Sequence, residues 1–237
     1  MNKHKQHPKQ LALACFSPLV MFLTFSFELI AAVWIIFRYR FDRKASIIVA
    51  LLVFLAAFQV AEYQVCAEAS SQVWARFGFI ATAVLIPLGT ALINALSKDD
   101  LGVRLERVLW VLAAAFIAWF LLVPSSVVFV WCGGNYSLYR LEPILGVLYT
   151  AFYFVSLTLM LIQINRRMHT RLSAATAKGL MGVGLGLSSF IIPTLALNII
   201  DPTTLRAIPS ILCGFAVIFA MFLVGVVAPA VLCPRKR

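Results

Sequence analysis

Long runs of apolar residues alternate with short polar connections along almost the whole chain. Each run is close to the roughly 20 residues that an α-helix needs to cross a bilayer, and seven such runs are present. We expect spans at residues 11–37, 45–66, 75–97, 107–123, 144–165, 179–200 and 208–232. A basic N-terminal tail at 1–10 and a basic cytoplasmic tail at 233–237 would flank this seven-helix transmembrane domain, residues 11–232.

The composition indicates that lipid is the main solvent of this chain. Of the 237 residues, 62% are hydrophobic and only 12% are charged, whereas a soluble domain carries about 25% charged residues. Backbone groups in a bilayer must satisfy their own hydrogen bonds, so long apolar runs form helices, and barrel strands would be shorter and alternating. We therefore expect an all-α integral membrane bundle.

Lysine and arginine are distributed unevenly among the connections, and cytoplasmic connections are enriched in both. Eleven cations fall on one face of a bundle with seven spans: Arg38, Arg40, Arg43, Lys44, Arg166, Arg167, Arg171, Lys178, Arg235, Lys236 and Arg237. This asymmetry predicts an outer N-terminus and a cytoplasmic C-terminus. We expect a multi-pass protein of the bacterial inner membrane. Lys3, Lys5 and Lys9 argue against it, because a basic start is also typical of a signal peptide or an anchor with its N-terminus inside.

Ionisable residues within predicted spans suggest function by default, and Glu28 and Glu62 are such residues. Gln59, Glu62, Tyr63 and Cys66 recur at i, i+3, i+4 and i+7, so they share one helical face, which we expect to point away from lipid. One interpretation is a polar ligand pocket near the outer surface. The other is a helix–helix seam in which Glu62 is neutral or paired with Arg76.

The predicted topology brings two cysteines to the outer face. Cys66 ends the second span there, and Cys132 lies in the outer loop between the fourth and fifth spans. A disulfide between them would persist in an oxidising compartment and would hold the turn 133–136 over the mouth of the bundle. Two unpaired thiols are the alternative.

The outer loop predicts a small hairpin between the fourth and fifth spans. Valine and aromatic residues precede a glycine turn within 125–141, and aromatic residues follow it, a pattern typical of two paired strands. Trp131, Tyr136 and Tyr139 would either cap a ligand pocket or form an interfacial aromatic belt.

Glycines are frequent in the sixth span. Gly182 and Gly186 have the GxxxG spacing that permits close approach of two helices, and we interpret it as internal packing.

The residue inventory excludes several membrane chemistries. All three histidines, His4, His7 and His169, lie outside the predicted spans, which argues against a bis-histidine haem and a zinc protease. The seventh span has no lysine for a retinal Schiff base. We find neither a phosphate-binding glycine loop nor metal-ligand spacing, so we expect no enzyme activity, no cofactor and no metal. The net charge of +11 fits the membrane, not nucleic acid.

Three segments of the second and third spans are distinctive: 58–63 followed by Cys66, 74–79, and 87–89. Together with 132–136 they resemble the seven-transmembrane N-terminal region of bacterial sensor histidine kinases and their stand-alone relatives. The resemblance implies a sensory, ligand-binding unit with an outer N-terminus, in which Glu62, Cys66, Arg76 and Cys132 hold the distinctive positions. The sequence departs from those kinases in having no output domain, so a signal would leave through a separate partner protein.

These observations favour a receptor-like protein that binds an unknown small ligand or a partner protein near its outer mouth. We expect Gln59, Glu62, Tyr63 and Arg76 to contact the ligand. Two alternatives stay open: a small transporter or channel that uses Glu62 and Glu28 as ion sites, and an accessory or assembly subunit of a larger membrane complex.

Overall fold

The structure, a computed structural model, describes residues 18–67, 72–97, 99–132, 137–200 and 208–235. Its first four helices are α1 (Pro18–Arg38), α2 (Arg43–Ala67), α3 (Gln72–Leu96) and α4 (Asp100–Leu122). Two strands follow, β1 (Val127–Cys132) and β2 (Ser137–Leu141), and then α5 (Pro143–Met168) and α6 (Ala174–Ile200). The last helix begins as α7 (Ile208–Phe222), continues through a π-helical turn (Leu223–Val227) and ends as α8 (Ala228–Val231).

This architecture confirms the predicted all-α class. Within the described ranges, six helices are long and apolar enough to cross a membrane, and a shorter apolar helix runs over Phe215–Val231. The predicted tail at 1–10, residues 11–17 of the first predicted span and residues 236–237 of the second tail lie outside the described residues.

Polar residues in the connections cap α2 and α6, and both α4 and α6 start earlier than the apolar pattern predicted. Asp42 accepts a hydrogen bond of 2.9 Å from the Ala45 amide and caps α2. Ser173 caps α6 in the same way, accepting from the Thr176 amide at 3.2 Å. Pro143 begins α5, where its missing N–H costs nothing. Helix α4 begins at Asp100 and therefore includes Arg104 and Glu106, of which Glu106 contacts Asn94 of α3, as described below.

Helix α3 lies at the centre of the bundle. Of its most apolar window 83% is buried, against 17% for α4 and 28% for the first helix. It packs against α2, α4, α5 and β1. A site at the centre of the bundle is therefore bounded by α3.

The glycines of α6 form a seam with the last helix, as the GxxxG spacing predicted. A Cβ atom at Gly186 would lie 2.6 Å from a ring carbon of Phe219, and one at Gly182 would lie 3.0 Å from Val226 and Val227. The π-helical turn lies in this seam. It ends two residues before Pro229, which has no N–H for the Gly225 carbonyl and therefore interrupts the regular α-helical ladder.

The predicted hairpin between α4 and α5 is present. Strands β1 and β2 pair antiparallel, with an irregularity between Phe129 and Trp131. The predicted turn at 133–136 lies outside the described residues. Because β1 packs against α3, the hairpin closes one end of the bundle, which we call the hairpin end.

At the opposite end, the segment after α8 pairs with the α1–α2 connection. The Arg40 amide donates to the Cys233 carbonyl at 3.0 Å, and the Arg235 amide donates to the Arg38 carbonyl at 3.0 Å. The chain thereby brings Arg38, Arg40 and Arg235 close to Arg43, which begins α2. We call this the basic end.

Candidate functional site

The predicted polar face of α2 turns towards protein at its two central positions. Gln59 and Glu62 are 4% and 1% exposed, while Tyr63 and Cys66 are half-buried. The expectation that this face points away from lipid is therefore confirmed for Gln59 and Glu62. A ligand-contacting role for these residues stays a prediction.

The structure joins Glu28 of α1 to this face. The side-chain amide of Gln59 donates a hydrogen bond of 3.2 Å to Glu28 Oε1. Glu28 is fully buried, and its second oxygen, Oε2, has no hydrogen-bond partner among the residues described. A buried carboxyl group costs free energy unless a proton, a cation or hydrogen bonds neutralise it, so this position is chemically unusual.

Arg76 contacts α4, whereas the sequence suggested a pairing of Arg76 with Glu62. Its Nη1 donates to the backbone carbonyl of Phe120 at 3.5 Å, near the C-terminal end of α4, where helix carbonyls lack intrahelical partners. Arg76 therefore links α3 to α4. The pairing of Glu62 with Arg76 stays a prediction.

The cysteines at the hairpin end were expected to form a disulfide. Cys66 is disulfide-bonded, but the Cys132 side chain lies outside the described side chains, so the structure describes no bonded pair. Their pairing stays a prediction. Cys233, at the basic end, is free and exposed.

A cavity of about 820 Å³ lies beneath the hairpin, and we call it the hairpin cavity. Its walls come from α2, α3, β2, α5, α6 and α7, and they are mainly apolar and aromatic. Phe58, next to Gln59, lines it, whereas Gln59, Glu62, Tyr63 and Arg76 do not. The volume falls within the roughly 300–1,000 Å³ typical of small-molecule sites.

The hairpin roofs this cavity through Tyr139. Its side chain is 3% exposed and meets the Phe79 ring edge-on, with the ring centroids 5.4 Å apart. An interfacial belt requires an aromatic side chain that reaches the membrane surface, so that interpretation is wrong for Tyr139, which belongs to the cap. The side chains of Trp131 and Tyr136 lie outside the described part of the structure.

Inside the cavity, polar groups of α3 and α5 form hydrogen bonds with each other. The hydroxyls of Thr82 and Tyr149 are 2.6 Å apart, and the Tyr149 hydroxyl also donates to the Phe79 carbonyl at 3.3 Å. Thr82 and Tyr149 both line the cavity. Because these hydroxyls already have partners, they fix α5 against α3 and leave an apolar interior.

A second polar cluster lies towards the basic end and was missed by the sequence analysis. Gln163 of α5 donates to Asn94 Oδ1 at 2.7 Å, and Asn94 of α3 donates to Glu106 Oε2 at 2.7 Å. Arg43 of α2 pairs with Glu106 at 3.8 Å. A Cβ atom at Gly102 would collide with the side chains of Gln163 and Asn94, so glycine is needed there.

This second cluster, which we call the Asn94 network, connects four helices. Isolated polar residues on separate apolar helices give no periodic signal, and the bonded partners are 12 and 69 residues apart in sequence. The one hint is the presence of amides and an acid near predicted span ends. Within the residues described, no group of His, Cys, Asp and Glu is arranged to hold a metal ion.

The geometry therefore offers an apolar cavity, a buried acidic contact between α1 and α2, and the Asn94 network. Comparison with known proteins adds no assignment: the sequence matches no model of a known protein family and no curated protein.

Proposed function

We propose that this chain is a receptor-like membrane protein that binds a small ligand in the hairpin cavity and signals through a separate partner protein. The observation that carries the proposal is the cavity itself, about 820 Å³ and roofed by Tyr139. Its lining is mainly apolar, and deep apolar pockets with few polar groups are typical ligand sites.

The proposal includes a topology of seven spans in the bacterial inner membrane, with the N-terminus outside. The helices that connect the two ends are long and apolar, and the last helix ends beside the connection that follows α1. The basic end, enriched in arginine, would then face the cytoplasm. The hairpin cavity would open towards the outer half of the bilayer, near a Cys66–Cys132 disulfide.

A route for the signal is supported by the position of the Asn94 network. The cavity ends at Gly89 and Met160, where a Cβ atom on Gly89 would lie 3.0 Å from Met160 Sδ. Gln163 follows Met160 by one helical turn on α5 and bonds Asn94 of α3. A ligand that moves α5 relative to α3 would therefore disturb the network at the basic end. The resemblance of α2 and α3 to membrane regions of sensor kinases is consistent with this role.

Binding of a neutral solvatochromic dye to the protein in nanodiscs tests the proposal. Ala151 lines the cavity and is exposed at its edge, so Ala151→Trp would fill the space without enlarging a buried residue. The matched control is Ala114→Trp, at an exposed position of α4 away from the cavity. We expect saturable binding to the wild type and to Ala114→Trp, and loss of it in Ala151→Trp. Equal binding to all three proteins would contradict the proposal.

A transporter or channel is the second candidate, and the buried contact between Glu28 and Gln59 favours it. Carboxyl groups inside membrane bundles often mark ion or proton pathways. Solute or proton flux in proteoliposomes that is abolished by Glu28→Gln or Glu62→Gln would establish this function in place of a receptor.

A further inference from the structure

The hairpin cavity is long and runs parallel to α5. It extends from Pro143, beside the hairpin, to Met160, which corresponds to about 25 Å at a rise of ~1.5 Å per residue. A single bilayer leaflet has about 15 Å of hydrocarbon, half of the ~30 Å core. The cavity is therefore long enough for one extended acyl chain.

The side of the cavity is accessible from the surroundings of the bundle. Val147 lines it and is 70% exposed, and Ala151, one turn further along α5, is also an exposed lining residue. In the proposed topology these residues face lipid. A molecule dissolved in the bilayer would enter sideways past α5 without crossing the water phase.

The interior of the cavity selects for an apolar group. Leu55, Ile86 and Leu157 line it together with aromatic rings. Thr82 and Tyr149 already share a hydrogen bond, so a polar ligand group placed beside them would have to replace a satisfied contact. Burial of an apolar chain meets no such cost.

The hairpin end of the cavity carries a positive charge, unlike the rest of the described lining. Arg140 of β2 is the single charged residue among the described lining residues. It is exposed, and it forms no ion pair with any residue that the structure describes. Glu142 follows two residues later but does not line the cavity. Arg140 borders the mouth of this apolar channel, and its long side chain can bring the guanidinium group to a carboxylate or phosphate there, to which it donates paired hydrogen bonds.

We propose that the ligand of the hairpin cavity is an acidic amphiphile with a single chain, such as a long-chain fatty acid. Its apolar chain lies along α5, and its anionic head contacts Arg140. This inference rests on the proposed function, because it names the ligand class of the same cavity. An anionic phospholipid also has a negatively charged head group but carries two acyl chains. The experiment below distinguishes it from a fatty acid.

Displacement of the neutral dye from nanodiscs made of phosphatidylcholine tests the proposal. Palmitate and its uncharged methyl ester are compared on the wild type, Arg140→Ala and Arg140→Lys. The control is Arg104→Ala, which removes an exposed arginine at the start of α4, away from the cavity. We expect Arg140→Ala to weaken palmitate about tenfold, corresponding to loss of one charge-assisted contact. The methyl ester should be unaffected, and Arg140→Lys should retain part of the preference for palmitate.

Two outcomes would overturn the proposal while leaving the proposed function intact. In the first, the dye binds, but Arg140→Ala leaves the affinity for palmitate unchanged. In the second, phosphatidylglycerol displaces the dye at lipid fractions at which palmitate has no effect, and this displacement depends on Arg140. Failure of the dye to bind the wild type would instead contradict the proposed function.

Discussion

Gln59 of α2 donates a hydrogen bond of 3.2 Å to Glu28 of α1, and both side chains are buried. Glu62 follows Gln59 by one turn and is equally buried. The bond connects the first two helices at a depth where polar side chains are costly. It therefore acts as a specific contact between α1 and α2, and its loss has a predictable consequence.

Gln59→Leu should destabilise the protein, because it removes the described donor to a buried carboxyl group. Leaving a buried polar group without its partner costs about 1–3 kcal/mol. Replacing both partners, in the double variant Gln59→Leu/Glu28→Leu, should recover most of the lost stability. Thermal unfolding in detergent measures the four proteins as a double-mutant cycle. If the destabilisation of the double variant equals the sum of the two single destabilisations, the bond does not couple these residues.

Gly102→Ala should disrupt the Asn94 network. The new methyl group would meet the side chains of Gln163 and Asn94, and overpacking of this kind costs about 1–3 kcal/mol. The matched control is Gly225→Ala, since a Cβ atom there meets nothing within 4 Å. We expect a lower unfolding temperature for Gly102→Ala alone. Equal unfolding temperatures for both variants would contradict the described arrangement.

Tyr149→Phe should produce a small loss of stability and little change in dye binding. The variant loses the contacts of the Tyr149 hydroxyl with Thr82 at 2.6 Å and with the Phe79 carbonyl at 3.3 Å, whereas the Thr82 hydroxyl keeps its contact with the Phe79 carbonyl at 3.0 Å. One such hydrogen bond contributes about 1 kcal/mol. Unfolding and dye titration of the same sample measure both effects. A strong reduction in dye affinity would show that the Tyr149 hydroxyl contacts the ligand directly.

Peptide mapping without reduction should yield one linked peptide pair that contains Cys66 and Cys132. Cys66 is disulfide-bonded, and the hairpin strand that ends at Cys132 packs against α3. Cys66→Ser should release a thiol that reacts with maleimide, whereas Cys233→Ser should leave the linked pair intact. A link from Cys66 to Cys15 or Cys213 would disprove the predicted pairing.

Cys233 provides a direct probe of orientation, because it is free and exposed at the basic end. In a variant whose other four cysteines are serine, a membrane-impermeant maleimide should label Cys233 only after cells are permeabilised. The expected result follows from the enrichment of cytoplasmic connections in lysine and arginine. Labelling in intact cells would place the basic end outside and reverse the proposed topology.

The sequence predicted the helices better than the contacts between them. Apolar runs and polar connections located α2, α3 and α5 to within a few residues, because span length and composition are local properties. The start of α4 was placed too late, since Arg104 and Glu106 were assigned to a connection. In the structure both residues lie within α4, which begins at Asp100, and the Glu106 side chain contacts Asn94 of α3.

The sites were only partly predictable for the same reason. The spacing of Gln59 and Glu62 correctly predicted a buried face, but Glu28 joins it across a helix interface that no spacing encodes. The hairpin pattern predicted β1 and β2, yet the cavity beneath them depends on residues from six elements. Leu55, Leu157 and Ala216 look like ordinary membrane residues in the sequence, and only their common position makes them a site.

Native mass spectrometry of the protein, released from membranes with minimal loss of lipid, would show directly whether the hairpin cavity holds a ligand. We expect a small molecule bound at one copy per chain, retained by Ala114→Trp and absent from Ala151→Trp. The same bound species on both variants, or none on the correctly folded wild type, would contradict the claim that the hairpin cavity is a ligand site.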